Sequence, residues 1–234
     1  MSCVTNDEVP TQVATDSAPR PRARRRGRPS VPLLSQKRIT RAAVELIGAR
    51  GYPALTMAAL ARELRVAPSA LYNHVASKRD LLRWLQDHVN RGIDASAFDT
   101  EPWDVALERW ARSYRDAYVR HAPLVPVIAV TPIAGSPHTV AMYEGVVAGL
   151  CAGGWPEAEA VDVVVALESF VLGSAMDATA PADIFDVPDD AAAPALARAG
   201  LLRAGRDNAD AAFEAGLAAL VTGFRARHPG GAGG

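Results

Sequence analysis

The chain has 234 residues, 49% of them apolar, with a formal net charge of -1. That length holds one large domain or a small one joined to a mid-sized one, and the apolar share is enough to bury a real core. Two cysteines, Cys3 and Cys151, exclude a disulfide framework. The longest apolar run, Ala122 to Ala134, is broken by Pro123, Pro126 and Pro132 and is too short to span a bilayer.

The near-zero net charge hides an asymmetry. Residues 1–92 carry 16 Lys and Arg against 7 Asp and Glu, a net of +9; the remainder carries 9 against 19, a net of -10. A basic half joined to an acidic half predicts that only the first meets a polyanion. With no apolar core of a signal peptide at the N-terminus, a cytoplasmic protein without membrane partners is expected.

Residues 1–34 are rich in Pro, Ser, Thr and Arg and poor in large apolar side chains. They cannot bury enough surface to offset their ordering entropy, so a disordered arm is expected. Arg26-Gly27-Arg28-Pro29 sits in its arginine run. Arg26 and Arg28 could lie in a narrow A·T-rich minor groove or neutralise phosphates without base preference, and both readings stay open.

Order is expected from Ser35, which suits a helix cap ahead of Ile39, Ala42, Ala43, Leu46 and Ile47, with Gly51 closing the segment. A second helix starts near Thr56 with Met57, Leu60, Ala61 and Leu64 on one side. After a tight connection at Arg65 and Val66, Pro68 opens a third helix that runs to about Val75. Ser77 and Asp80 form a capping box for a fourth helix bearing Leu81, Leu82, Trp84 and Leu85. Two short helices joined by a tight turn and braced by a preceding helix describe a helix-turn-helix over residues 35–80, whose second helix enters the major groove of DNA. Leu71 and Val75 would face the core. Ser69, Ala70, Tyr72, Asn73 and His74 would face out, offering hydroxyls, an amide and an imidazole to phosphates and base edges.

Residues 81–228 form the second unit. Trp103, Leu107, Trp110, Tyr114 and Tyr118 mark a long amphipathic helix, Pro123 to Thr131 a short apolar one, and Pro137 to Gly153 another, with Met142, Val146 and Leu150 inward. Pro156 to about Asp177 is nearly all apolar, which implies burial on more than one side. Pro181 to Asp190 reads as a loop, Leu196 to Leu202 as a short helix, and the last helix sets Phe213, Leu217, Leu220 and Phe224 on one face. Residues 229–234 are a Gly-rich tail. The fold class is therefore all-α: an N-terminal helix-turn-helix domain and a C-terminal helical bundle for ligand binding and dimerisation. Trp110, Tyr114, Ile128, Thr131, Met142, Val146, Val164, Glu168 and Phe170 are the candidate cavity liners, a set suited to a small, largely apolar effector. Core packing is the competing reading for each of them. Glu144, Glu168 and Asp177 could face the cavity or the dimer seam, and an unpaired buried carboxylate among the three would mark a cationic or hydrogen-bonding ligand.

The stretch Leu55-Thr56-Met57-Ala58-Ala59-Leu60-Ala61, then Val66-Ala67-Pro68-Ser69-Ala70-Leu71-Tyr72-Asn73-His74-Val75 and Lys78-Arg79-Asp80-Leu81-Leu82, resembles the tetracycline-repressor (TetR) family. Gly154-Trp155, Phe170-x-Leu172-Gly173 and Phe213-Glu214-x-Gly216-Leu217 resemble its regulatory domain more weakly. The resemblance implies that Thr56 touches phosphate, that Pro68, Ser69 and Ala70 sit at the groove floor, that Tyr72 and His74 bind the backbone, and that Lys78 pairs with phosphate. It implies a homodimer in which the Pro156 helix and the final helix pair with their copies, a palindromic double-stranded DNA operator, and an effector that releases the DNA by moving the fourth helix. Ala58 and Ala59 stand where tetracycline-responsive members place a base-reading arginine, so their operator cannot be copied here. Trp110, Ile128 and Val146 stand where those members hold polar and metal-linked ligand contacts, which argues against a magnesium–tetracycline effector.

No Gly-x-Ser-x-Gly elbow, Walker loop, dinucleotide glycine pattern or His-Glu-x-x-His is present, so no enzyme and no cofactor are expected. His74, His88, His121, His138 and His228 lack metal-ligand spacing. The alternative function is an architectural DNA-binding dimer without an effector.

Overall fold

The computed structural model describes residues 34–181, 183–188, 192–203 and 208–228. The arginine arm with Arg26 and Arg28, and the tail at 229–234, lie outside the described residues. Every described regular element is helical. From Leu34 onward the chain forms a single contact unit.

Helix α1 (Gln36–Arg50) begins where Ser35 Oγ accepts the Arg38 N–H and ends at Gly51, whose φ of 76° only glycine adopts cheaply. Its Ile39, Ala42, Ala43, Leu46 and Ile47 are buried. Helix α2 (Met57–Leu64) is capped by Thr56, whose Oγ1 accepts Ala59 N–H at 3.0 Å. It closes on Arg65 in the left-handed region (φ 56°, ψ 44°), with Val66 N–H donating to Ala61 O at 3.0 Å. That reversal is the tight turn that aims the next helix. Helix α3 (Pro68–Tyr72) is shorter than expected. Asn73 and His74 form a turn, although Val75 N–H still reaches Leu71 O at 3.1 Å. Helix α4 (Lys78–Asn90) starts in the expected capping box: Ser77 Oγ accepts Asp80 N–H at 3.1 Å and donates to the Asp80 carboxylate at 2.6 Å.

Helix α4 crosses the expected boundary at residue 80, packing both on α1 and on the helices α5, α6 and α7 that follow it. After a short turn at Ser96–Asp99 come α5 (Trp103–Val119), α6 (Val125–Ile128), α7 (Pro137–Ala152), α8 (Glu157–Asp177), α9 (Pro194–Arg203) and α10 (Asn208–Arg227). Helices α5 and α8 share the most extensive contact; α7 and α10 both pack on that pair. Glycines at the end of α7 permit close approaches. A Cβ at Gly149 would stand 2.6 Å from Phe98 Cβ, and one at Gly153 would stand 2.8 Å from Trp103 Cβ. At Gly145 nothing lies within 4 Å.

Candidate DNA interface and sensor core

The reading head follows from local chain chemistry. Leu71 and Val75 are buried beneath α3, while Ser69, Tyr72, Asn73 and His74 are exposed, Tyr72 at 50%. Pro68 is exposed and Ala70 half-buried, so Ala70 is less available than expected. Thr56 keeps an exposed side chain even while its hydroxyl oxygen caps α2. Lys78, the first residue of α4, places its Nζ 4.4 Å from the centroid of the Tyr52 ring. Tyr52 lies in the turn after α1 and is half-buried. Its ring holds the ammonium at the end of the head where α4 emerges. The resulting edge carries hydroxyl, amide, imidazole and ammonium groups and no carboxylate between Ala67 and Arg79.

Buried polar side chains link α4 to the bundle. Asp87 Oδ1 accepts the backbone N–H groups of His138 (2.8 Å) and Thr139 (3.1 Å), so a residue of α4 caps the first turn of α7. Ser136, at the position that normally supplies such a cap, has its hydroxyl turned to Gln86 Oε1 at 3.2 Å. Gln86 Nε2 donates to Thr131 O at 3.0 Å, and Asn90 Nδ2 to Thr139 Oγ1 at 3.1 Å. Tyr118 OH donates to Asn90 Oδ1 at 2.8 Å and carries the chain of contacts into α5.

One turn back along α5, Tyr114 OH donates to Glu168 Oε1 at 2.6 Å; Tyr143 OH of α7 donates to the same oxygen at 2.6 Å. The two phenol oxygens are 3.4 Å apart. Tyr114 is 1% exposed, whereas Tyr143 and Glu168 are half-buried. Burial, with the neighbouring phenols and the Glu168 carboxylate, pushes the Tyr114 phenol well above the ordinary tyrosine range. Burial and Glu168 do the same to Tyr143, and burial raises Tyr118. Trp110 packs its ring at 64° to that of Tyr114, centroids 5.3 Å apart, and its Nε1 is buried without a hydrogen-bond partner.

Comparison with known proteins decides what carries this arrangement. Residues 39–85 match the family of bacterial regulatory proteins described as the tetR family, and residues 97–228 match the tetracyclin repressor-like C-terminal domain. The chain belongs to the tetR family. This TetR-family protein is 30% identical over 202 residues to the tetracycline repressor protein class G of Vibrio anguillarum, covering 82% of this chain and 93% of that one. It is 32% identical over 153 residues to the HTH-type transcriptional repressor DrrR1 of Streptomyces coeruleorubidus, covering 65% of this chain but 56% of the relative's length. Its fold matches the Streptomyces coelicolor TetR family protein ActR in complex with actinorhodin, with a TM-score of 0.69, 25% identity, and coverage of 85% and 99% of the two chains. The chain is thus a DNA-binding transcriptional regulator and not an enzyme. No described helix is long and apolar enough to cross a membrane, and the described residues contain no group of three His, Cys, Asp or Glu side chains that could hold a metal ion.

Most, not all, of the expected cavity liners are buried. Trp110, Tyr114, Ile128, Met142, Val146 and Val164 are all buried in the continuous apolar core that runs from Ile39 to Phe224, with Glu168 beside Tyr114. Thr131 is half-buried and spends its hydroxyl on Val127 O at 2.8 Å. Phe170 lies elsewhere. Two residues past Glu168, it is about 200° around α8, stacks on Phe213 with centroids 5.5 Å apart, and lines an open groove of about 300 Å³ between α8 and α10.

The expected dimer face of α10 needs correction. Phe213, Leu217 and Phe224 are 3%, 0% and 7% exposed and belong to the protomer's own core; half-buried Leu220 packs against it. Within the protomer this apolar stripe already packs on α5 and α8. Arg115 reinforces this packing: Nη1 lies 2.6 Å from Asp210 Oδ1, Nε donates to Ser174 Oγ at 3.0 Å, and the guanidinium lies over the Phe213 ring. Residue reading missed Tyr143, Asn90, Asp87 and Thr139. The available signal is the pair of phenols at Tyr114 and Tyr118: a buried tyrosine hydroxyl needs a partner, so each implies a polar side chain facing it from another helix.

Proposed function

We propose that this TetR-family regulator is a homodimeric repressor that binds a palindromic operator and leaves it when a small, largely apolar effector enters the bundle. The observation that carries the reading is the continuity of α4. Its first residue, half-buried Lys78, sits at the head against Tyr52, and Gln86, Asp87 and Asn90 tie its other end to α5, α7 and the α6–α7 connection. A ligand that favours one arrangement of those helices biases α4, and with it the spacing of two heads, by no more than its differential affinity for the two states. The similar ActR is a ligand-bound relative, in complex with actinorhodin, and in this chain the apolar Trp110, Ile128, Met142, Val146 and Val164 would suit a largely apolar ligand. In this reading Thr56, Ser69, Tyr72, Asn73, His74 and Lys78 meet the DNA, with Pro68 and Ala70 at the groove. Arg26 and Arg28 add phosphate or minor-groove contacts.

The second copy packs on the outer faces of α8 and α10, where Val161, Val165, Ala215, Ala219 and Thr222 are exposed. A two-fold pair then presents α3 twice to one duplex.

Fluorescence anisotropy on DNA from the gene's own upstream region, at several salt concentrations, tests this. Tight binding that weakens with salt is expected. Tyr72→Ala and Lys78→Ala should each cost about 1–3 kcal/mol of affinity, the scale of charge-assisted contacts. Parent-like binding by both variants would remove the head from the interface.

A further inference from the structure

Counting protons in the core oxygen cluster gives it a chemical preference. Tyr114, Tyr143 and Glu168 bring three oxygens together through two O–H groups, and both protons point at the same Glu168 oxygen, Oε1. A neutral phenol has one donor, so the 3.4 Å contact between the phenols leaves none spare. Among the described residues nothing donates to Glu168 Oε2. What the cluster can still offer is lone pairs: those of Oε2 and of the two phenol oxygens.

The neighbouring arginine is committed elsewhere. The Arg115 guanidinium, next in sequence to Tyr114, is turned to Asp210, Ser174 and the Phe213 ring. Half-burial of Tyr143 and Glu168 leaves the cluster reachable, while Tyr114 seals its inner side against Trp110.

Resting on the effector-sensing reading above, we propose that Glu168, oriented by Tyr114 and Tyr143, selects an effector whose aromatic body carries a protonated amine, and that the same oxygens reject an anionic one. A charge-assisted donor would meet a carboxylate oxygen already fixed in place by two phenols. A carboxylate ligand would set acceptor against acceptor, with no proton left in the cluster to separate them.

Four naphthalenes that share one ring body test the idea: 2-naphthylmethylammonium, 2-naphthylmethanol, 2-methylnaphthalene and 2-naphthoate, titrated calorimetrically into the full-length protein near neutral pH. The ammonium should bind best and the carboxylate worst. The gap between them should be roughly tenfold to a hundredfold, the scale of a hydrogen bond to a charged group. In Glu168→Gln that gap should shrink to within a few fold. In Tyr143→Phe, which leaves the carboxylate with fewer donors, it should persist. The ranking in the parent protein stands as a test even if Glu168→Gln fails to fold. Binding without head-group preference, naphthoate binding as well as the ammonium, or an unchanged gap in folded Glu168→Gln overturns this inference and leaves effector sensing standing. Failure of all four to bind overturns both.

Discussion

The reading head and the sensor core handle polar groups in opposite ways. At the head, between Ser69 and His74, the hydroxyls, amide and imidazole are exposed. In the core, Asn90, Tyr118, Thr139, Tyr114 and Glu168 are paired with one another across four helices. Exposed groups at the head cost nothing to leave to water and stay available for DNA. The same groups left unpaired inside would each cost on the order of 1–3 kcal/mol. The division implies that head substitutions alter affinity while sparing the fold, and core substitutions do the reverse.

The sharpest attempt to break that division is Trp110→Ala. With the ring fully buried, urea unfolding should show a loss of about 3–5 kcal/mol. A loss below about 1 kcal/mol would mean the core tolerates a void and the division fails. Gly149→Ala comes next. Its methyl would meet Phe98, so overpacking of about 1–3 kcal/mol is expected in the same assay. Asp87→Ala removes the cap on α7 and should cost about 0.5–2 kcal/mol. Smallest is the Tyr52–Lys78 contact. Tyr52→Leu should weaken operator binding in anisotropy titrations by about 0.5–1 kcal/mol, and Tyr52→Phe, which keeps the ring, should restore it. Equal loss in both variants would assign Tyr52 a packing role only.

The same contrast explains what the sequence disclosed. Caps at Ser35, Thr56 and Ser77 join residues three apart, and the head's buried pair Leu71 and Val75 is four apart, so local spacing exposes them. The core network joins residues as far apart as Tyr114 and Glu168, 54 positions, or Asp87 and Thr139, 52 positions. No periodicity encodes such pairs, because the packing of helices places them together. Apolar faces were legible as stripes, but not what they would face. That is why Phe213, Leu217 and Phe224 read equally well as a seam between copies and as the inner side of α10. The early end of α3 is masked in the sequence because the turn at Asn73 and His74 retains two helical hydrogen bonds, Asn73 N–H to Ser69 O and Val75 N–H to Leu71 O.

The loan of a carboxylate from α4 to the first turn of α7 has a consequence for biosynthesis. Asp87 precedes its target amides by 51 and 52 residues, so a ribosome releases the acceptor well before the donors emerge. A peptide cut to residues 137–152 would lack that carboxylate and should fray at its start. In the nascent chain, the start of the later helix is completed by a segment already waiting for it.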